Sequence, residues 1–370
     1  MKIVVNIIRI IVGVLFIFSG LVKANDPLGL AYKMQEFFEA WHWLAFNDYV
    51  LPMSIIMNVL EVATGVALLI GWQRKFTNWF LLLLIIFFTF LTSYVLFSGK
   101  ITNCGCFGDC IPLTPMQTFV KDVALLLMIV LLVFKTNKLK PVLAKSIASV
   151  FVIITIAATV GIQLFVLKHL PFVDCLPYKK GNSILEQMKI PEGAVPDSFQ
   201  ITYQYKKNNK TIEFDANHFP DDFDSTYIYI NRINKLIRKG NATPKIVDFA
   251  LKTISDVDTT KEIFAQTQPY ILLFAKELPK NKNAFNDKIF ETIKAKQIPL
   301  FVVTADGAAD SLHSNYFTVL KCDVTVIKTA ARVNPTYVFM KQDKIIDKIS
   351  YADEDKILKA LNSYRFLFQN

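Results

Sequence analysis

Charged side chains are scarce in this sequence. Only 19% of its 370 residues are charged, whereas 53% are hydrophobic. Soluble globular proteins carry about a quarter charged residues, so this composition excludes an entirely soluble protein. The shortage is confined to the first half of the chain, which holds the long apolar runs. From about Leu176 onward the sequence is rich in Lys, Asp and Asn.

Familiar catalytic signatures are also missing. The sequence has no kinase loop, dinucleotide-binding glycine fingerprint, zinc-protease helix or serine triad, and no Cys-x-x-Cys-His motif for haem attachment. The four histidines stand apart from one another, which favours surface or interface roles. The five cysteines therefore carry the candidate chemistry.

Positive charge is in excess, with a net charge of +10. The basic residues of the first half cluster in short loops, at Arg74-Lys75 and between Lys135 and Lys145. That placement is typical of residues that orient a membrane protein, not of a face that binds polyanions. Nucleic-acid binding is therefore not expected.

Five apolar runs are long enough to cross a lipid bilayer. Their approximate limits are Ile3–Val22, Val50–Trp72, Phe76–Phe97, a run that starts after Thr114-Pro115, and Ser146–Val166. Thr114 as N-cap with Pro115 at the first helical position is a strong helix start. Residues 30–46 mix aromatic and acidic residues at helical spacing, which predicts an interfacial helix, with a substrate lid as the alternative.

The basic loops predict the orientation of these spans. The loops between the second and third and between the fourth and fifth runs are basic, so they are expected in the cytoplasm with the N-terminus. The cysteine-rich loop and the C-terminal part then lie on the opposite side. In a bacterial inner membrane that side is the periplasm, where disulfides persist.

Three ionisable residues within the spans are functional candidates, because charge is costly in a membrane. Arg9 either extends to the interface or forms an internal ion pair. Glu61 is protonated, paired with Arg9, bonded to a lipid headgroup, or a packing group of the bundle. Asp122 either positions or protonates a group near the cysteines or pairs with Lys121.

Three cysteines, Cys104, Cys106 and Cys110, share one short loop, and Cys175 follows the fifth span. Thiol–disulfide exchange requires Cα atoms about 4.4–6.8 Å apart. Cys110 is within reach of either loop partner, and Cys104 with Cys106 would close a small strained ring. Cys175 is a fourth thiol that is able to exchange with the loop.

Two other interpretations of these cysteines remain open. One permanent disulfide closes the loop, with Cys175 as its partner or as a free thiol. Alternatively, the loop thiolates bind zinc or copper(I). The cysteine density exceeds what a structural crosslink needs, which favours redox-active thiols. Cys322 is expected to be a buried structural thiol.

The C-terminal part is predicted to fold as a soluble region of α/β or α+β class. Residues 176–242 read as a connector with small antiparallel segments, at Phe199–Tyr205 and Thr211–Phe214. Residues 243–370 alternate strands and helices. The predicted elements are strands Tyr270–Ala275 and Pro299–Thr304, helix Phe285–Lys296, hairpin strands Thr336–Lys341 and Lys344–Ile349, and helix Ala352–Tyr364.

The segment Ala331–Phe339, with Asn334-Pro335 before the hairpin, resembles a thioredoxin-like domain. That resemblance implies a cis-proline loop facing redox cysteines, and a dithiol after the strand ending at Ala275. The sequence from Lys276 to Asn283 contains no cysteine. The expected domain is therefore thioredoxin-like but without a Cys-x-x-Cys motif.

Residues 1–135 resemble the DoxX/MauE family of redox-associated membrane proteins. The shared residues are Arg9, Phe16–Gly20, Lys23, Asp26-Pro27, Gly29, Glu61, Gly65 and Cys104–Gly108. The resemblance implies a four-helix membrane domain, after which residues 136–175 supply the fifth span and a linker. The whole plan is similar to Bacteroidetes-type proteins that carry both parts, and to vitamin K epoxide reductase and DsbB, which pass electrons between thiols and quinone. Those last two carry a membrane-side Cys-x-x-Cys that this chain lacks, so quinone is only a candidate here.

The functional prediction is thiol–disulfide electron transfer, or support of disulfide formation in a periplasmic client. In this prediction, Cys106 and Cys110 take part in disulfide exchange, and Cys104 or Cys175 is the resolving thiol. Glu61, Asp122 and Arg9 tune or position the reacting groups. The alternative is a non-enzymatic membrane scaffold, whose thioredoxin-like domain binds a partner and whose cysteines form a structural disulfide.

Overall fold

The structure is a computed structural model. It describes residues 2–101, 104–196, 198–208, 210–215, 218–238, 240, 242–276, 287–305 and 317–363. The chain forms two compact units. One unit comprises Met1–Gly181 with Ala250–Asn370, and the other is Asn182–Phe249.

The first part of the chain is helical. Its helices are α1 (Lys2–Asn25), α2 (Pro27–Ala40), α3 (Val50–Ile70), α4 (Arg74–Ser98), α5 (Pro115–Phe134) and α6 (Lys145–His169), with 3-10 turns at Leu44–Tyr49 and Thr136–Lys138. Among the described residues, five helices (all of these except α2) are long and apolar enough to cross a membrane. The five predicted spans are confirmed, and each lies within a few residues of the limits that were predicted for it.

Local sequence explains where the membrane helices begin and pack. Thr114 and Gln117 form a reciprocal capping box at the start of α5, as the Thr114-Pro115 pair predicted. Helix α1 packs closely on α3 because Gly13 faces Gly65; a Cβ on Gly65 would lie 2.9 Å from the Gly13 carbonyl oxygen. Helix α6 packs on α3, where Asn58 donates to Gln163 over 3.0 Å.

The predicted interfacial helix at 30–46 begins earlier and ends earlier than expected. Helix α2 starts at Pro27, because Asp26 caps it by accepting a hydrogen bond from the Gly29 N–H over 3.1 Å. It ends before His42, whose φ of 60° breaks the helix. Phe37 and Phe38 are buried, so one face of α2 packs on the bundle.

The unit Asn182–Phe249 contains helix α7 (Ile184–Gln187) and strands β1 (Ser198–Lys207), β2 (Lys210–Asp215) and β3 (Ile228–Arg238). The strands form an antiparallel sheet in the order β2-β1-β3. The two predicted segments are therefore confirmed as β1 and β2. Strand β3 was not predicted. Aromatic side chains of β1 and β2 cluster with Phe219, Phe223 and Tyr227 on one face.

The rest of the chain is β-rich. It contains α8 (Thr260–Phe264), β4 (Tyr270–Ala275), α9 (Asp287–Ala295), β5 (Leu300–Thr304), β6 (Thr318–Lys321), α10 (Val324–Ala330), β7 (Thr336–Lys341), β8 (Lys344–Ser350) and α11 (Glu354–Ser363). The sheet order among the described residues is β6-β5-β4-β7-β8. Strands β4, β5 and β6 are parallel, while β7 and β8 form the antiparallel hairpin.

The predicted strands and hairpin of this region are confirmed. All six residues of β4 are buried, as a continuous apolar run predicts. The Asn334–Pro335 peptide bond is cis. The first residues of the predicted helix at 285, the loop after Lys276, His313 and Tyr364 lie outside the described residues.

Candidate functional site

An apolar cavity of about 400 Å³ lies within the helical bundle, at the end that carries the cysteine loop. Helices α1 to α5 and the loop itself form its wall. Aromatic residues of α2 and the following turn, including Phe37, Phe38, Trp41 and Phe46, contribute much of that wall. The segment predicted as an interfacial helix or lid thus covers one side of the cavity.

Cys104 and Cys106 lie in the wall of this cavity as free thiols. Their Sγ atoms are 3.2 Å apart, within hydrogen-bonding distance. The loop turns tightly here because Gly105 has a φ of +69° and accepts a hydrogen bond from the Gly108 N–H over 2.9 Å. The Ser19 hydroxyl of α1 donates to the Cys106 carbonyl oxygen over 3.0 Å. These contacts hold the thiol pair against the cavity.

The two thiols are electrostatically unequal. The hydrogen bond between Cys106 and Cys104 lowers the pKa of Cys106, and the Lys121 ammonium group lowers it further, although burial opposes both. The same hydrogen bond and burial raise the pKa of Cys104. A thiolate, not a thiol, is the nucleophile in exchange. The surroundings therefore favour Cys106 as the attacking sulfur and Cys104 as the thiol that keeps its proton.

Cys110 and Cys175 form a disulfide with a Cα–Cα distance of 4.8 Å. Cys110 is thus bonded to Cys175 in this structure, and the exchange of Cys106 with Cys110 stays a prediction. Cys106 faces the cavity beside Cys104, whereas α6 brings Cys175 back to the loop next to Cys110. Pairing of Cys175 with the loop had been one of the open interpretations.

Glu61 and Arg9 do not form the ion pair considered from the sequence. Glu61 is 1% exposed and forms an ion pair with Lys23 of α1, while Ser19 donates to its Oε2 over 3.2 Å. Lys23 lies at the cavity end of α1. Arg9 is 14 residues earlier in the same helix, roughly 21 Å along its axis, so it lies far from Glu61.

Arg9 instead binds backbone carbonyls where α3 ends. Its guanidinium donates to the oxygens of Leu68 over 2.8 Å, Leu69 over 2.5 Å and Lys140 over 2.9 Å. The last carbonyls of a helix have no intrahelical partner and carry partial negative charge. Arg9 therefore joins the end of α3 to the loop before α6, on the opposite side of the bundle from the cysteines.

Asp122 pairs with Lys121, which was one of the two alternatives considered for it. Its side chain is 2% exposed, and its Oδ1 lies 2.7 Å from the Lys121 Nζ. Both residues line the cavity beside the thiol pair. The Lys121 Nζ also lies 4.8 Å from the centre of the Phe107 ring. Phe107 stands between Cys106 and Cys110 in the sequence.

Two cations of the β-rich region pair with the aspartates that adjoin the disulfide. Arg332, which is 6% exposed, contacts Asp109 and Asp26 over 2.8 Å each. Lys348, also 6% exposed, forms an ion pair with Asp174. Asp109 and Asp174 each precede a cysteine of the disulfide. The sequence analysis missed these cations and aspartates; the repeated Asp-Cys pair was the available signal.

A thiolate metal site has few ligands in this arrangement. Cys110 is bonded to Cys175, so the loop offers two free thiols. Within the ranges that the structure describes, no group of three or more His, Cys, Asp or Glu side chains is placed to hold a metal ion.

Comparison with known proteins supports the membrane assignment. Residues 1–135 match the family described as methylamine utilisation protein MauE, and residues 199–239 match a domain of unknown function, DUF8463. The protein TlpB of Flavobacterium psychrophilum is 33% identical over 135 residues, 35% of this chain and 36% of that relative. The match therefore spans about a third of the relative's length. No solved structure matches the chain. Residues 1–135 are therefore similar to membrane proteins of the MauE type.

Proposed function

We propose that this protein is a membrane thiol–disulfide oxidoreductase. In this proposal, Cys104 and Cys106 deliver electrons to a quinone-class acceptor that enters the cavity from the bilayer. One observation carries it: a close pair of free thiols forms part of the wall of an apolar cavity inside a membrane bundle. The cavity's size of about 400 Å³ suits a small ring compound.

The reaction balances without a further reagent. A bond forms between the two sulfur atoms, and the thiol pair loses two electrons and two protons. The quinone ring takes up both electrons and both protons and leaves as hydroquinone. Cys106 is the attacking sulfur because its pKa is lowered by Cys104. Cys104 then completes the disulfide.

The Cys110–Cys175 disulfide is proposed as the outer centre of the same reaction. A client dithiol reduces it by exchange and becomes a disulfide. The resulting thiols of Cys110 and Cys175 reduce the Cys104–Cys106 disulfide in a second exchange. Each exchange transfers two electrons, so the client's electrons reach the quinone. The loop that carries Cys106 and Cys110 has two glycines with positive φ, which permit the turns that this exchange requires.

The β-rich C-terminal region is proposed to be a thioredoxin-like domain that covers the outer disulfide or presents the client. Its sheet, with three parallel strands followed by an antiparallel hairpin, supports that assignment. Arg332 lies in the segment before Pro335 and contacts Asp109 of the cysteine loop. The loop before the hairpin therefore lies on the side of the redox cysteines.

The proposed location is a bacterial inner membrane, with a cytoplasmic N-terminus and the cysteines in the periplasm. The basic loops support this orientation. An odd number of spans between the N-terminus and Cys175 also agrees with it. A disulfide between Cys110 and Cys175 suits an oxidising compartment.

A scaffold function is the second candidate, and the Cys110–Cys175 disulfide favours it. That bond and the ion pairs of Asp109 and Asp174 fix the β-rich region to the membrane helices. A protein that only assembles others would need nothing more from its cysteines. It would not need free thiols in an apolar cavity.

The test is a turnover assay on the full chain in lipid nanodiscs, with a dithiol reductant and a short-chain naphthoquinone. Hydroquinone formation should fall at least a hundredfold in Cys104→Ser and in Cys106→Ser. Cys322→Ser is the matched control, because Cys322 is buried in the β-rich region and should leave the rate unchanged. Equal rates in all three variants would favour the scaffold function.

A further inference from the structure

Asp122 has one carboxylate oxygen without a hydrogen-bond partner among the described residues. Its Oδ1 is 2.7 Å from the Lys121 Nζ. Its Oδ2 is buried and makes no hydrogen bond to any residue that the structure describes. Leaving a buried charged acceptor unpaired is costly, and such groups in proteins normally have a partner. The site around Asp122 is therefore incomplete without a hydrogen-bond donor from outside the described chain.

The position of this oxygen indicates where the donor comes from. Within the described ranges, four buried side-chain atoms lack a partner, and the other three belong to Asn47, Asn58 and Asn78. Only Asp122 also lines the apolar cavity. The cavity's other carboxylate, Glu61, differs, because Lys23 and Ser19 bind its two oxygens. Among the described carboxylates that line the cavity, Asp122 is thus the one with an unsatisfied acceptor.

We propose that Asp122 binds the hydroxyl group of the reduced acceptor and carries a proton between that hydroxyl and the thiol pair. This inference rests on the proposed function and names the residue that touches its ligand. An ionised carboxylate only accepts hydrogen bonds. A quinone ring also offers only acceptors, whereas a hydroquinone offers two O–H donors. The unpaired Oδ2 therefore matches the hydroquinone and not the quinone.

The same oxygen accounts for one proton of the reaction. When the Cys104–Cys106 bond forms, Cys104 loses its proton, and Asp122 lies beside it in the cavity wall. Asp122 takes that proton and passes it to a ring oxygen as the ring gains two electrons. Water at the loop side supplies the second proton, which replaces the one that Cys106 lost on becoming a thiolate. Asp122 is then a carboxylate again and accepts the bond from the new hydroxyl.

The test measures binding, so that turnover is not needed. The full chain carrying Cys104→Ser and Cys106→Ser cannot change the redox state of its ligand. Dissociation constants are measured in nanodiscs for a short-chain naphthoquinone and, under anaerobic conditions, for its hydroquinone. Loss of one hydrogen bond to a charged group corresponds to about tenfold in affinity. Asp122→Asn should weaken hydroquinone binding by about tenfold and quinone binding by less than twofold.

Met57→Leu is the matched control, because Met57 lines the same cavity and the substitution nearly conserves its volume without removing a hydrogen-bonding group. It should change the affinity for both ring forms equally or not at all. If Asp122→Asn weakens both forms alike, or neither, the inference is wrong. If the protein with Cys104→Ser and Cys106→Ser but with Asp122 intact binds neither form, both the inference and the proposed function fail.

A second measurement needs no substitution at Asp122. Infrared difference spectra of the protein that carries Cys104→Ser and Cys106→Ser, with Asp labelled by ¹³C, report the carboxylate stretch directly. Adding hydroquinone should shift the band of one Asp, and adding quinone should not. Identical spectra with the two ring forms would overturn the inference even if the Asp122→Asn variant failed to fold.

Discussion

The two cysteine pairs of this protein are neighbours in sequence but lie in opposite surroundings. Cys104 and Cys106 are free thiols, and the cavity beside them is walled mainly by aromatic and aliphatic side chains. Cys110 and Cys175 form a disulfide, and the aspartate before each of them pairs with a buried cation. One pair faces the interior of the membrane bundle, and the other faces the β-rich region.

The two pairs therefore meet two requirements that a single dithiol could not easily meet, access for a lipid-soluble compound and access for a protein. A pair that reacts with a lipid-soluble acceptor must lie where such a compound can reach it. A pair that reacts with a protein must lie at a polar surface. Phe107, Gly108 and Asp109 form the short link between them. Each prediction below changes one side of the comparison and asks whether the other side responds.

The largest expected effect comes from removing the outer disulfide. Joint substitution of Cys110→Ser and Cys175→Ser should lower the free energy of unfolding by about 2–4 kcal/mol, because the bond closes a long loop, with a sequence separation of 65. Denaturant unfolding in detergent micelles measures this loss. Quinone reduction by a small dithiol should persist, because the inner thiol pair is intact. Loss of that reaction in a folded double variant would show that the pairs are not separate.

Arg332→Gln should have a smaller effect, which is confined to the outer side. It leaves Asp26 and Asp109 without their shared cation, and breaking such a pair costs about 2 kcal/mol after allowance for the partial exposure of Asp109. Limited proteolysis should then cleave the β-rich region faster. Lys356→Gln is the control, since Lys356 is 68% exposed and should change stability by less than about 0.5 kcal/mol. Equal proteolysis of both variants would contradict the role of Arg332.

The subtlest effect concerns the pH dependence of alkylation. Since Cys104 lowers the pKa of Cys106, Cys106 is a thiolate at lower pH than an ordinary thiol. Its alkylation rate should reach half-maximum below the pH of a free cysteine, and Cys104→Ala should move that midpoint upward. Burial raises the pKa of Cys322 to about 12, so Cys322 serves as the slow internal reference. Mass spectrometry of each cysteine peptide gives the rates, and an unmoved midpoint in Cys104→Ala would contradict the proposed asymmetry.

Features set by local sequence were predictable. A run of about 20 apolar residues is enough to identify a membrane span. Thr114 with Pro115 marked the start of α5, because a capping residue binds the backbone of the next turn. The closeness of Cys104 and Cys106 was also implied, since one glycine separates them. The disulfide partner of Cys110 was left open, because loop spacing does not show which side chains face the cavity.

Features set by long-range packing were not predictable. Lys23 and Arg9 both lie on α1, and only the packing of α1 on α3 decides that Glu61 meets Lys23. The partners Arg332 and Asp109 are separated by 223 positions, and many other basic residues were equally available. Strand β3 mixes polar and apolar residues without clear alternation, and β6 has only four residues. A single sequence contains no local signal for such features.

The most direct test of the account is the redox state of both cysteine pairs in native membranes. Alkylation before and after reduction, resolved by mass spectrometry, reports each pair with the respiratory quinone pool either oxidised or reduced. The account predicts that Cys104 and Cys106 become a disulfide when the pool is oxidised and return to thiols when it is reduced. A pair that stays in one state whatever the pool would contradict electron transfer through the cavity, and the scaffold function would then be favoured.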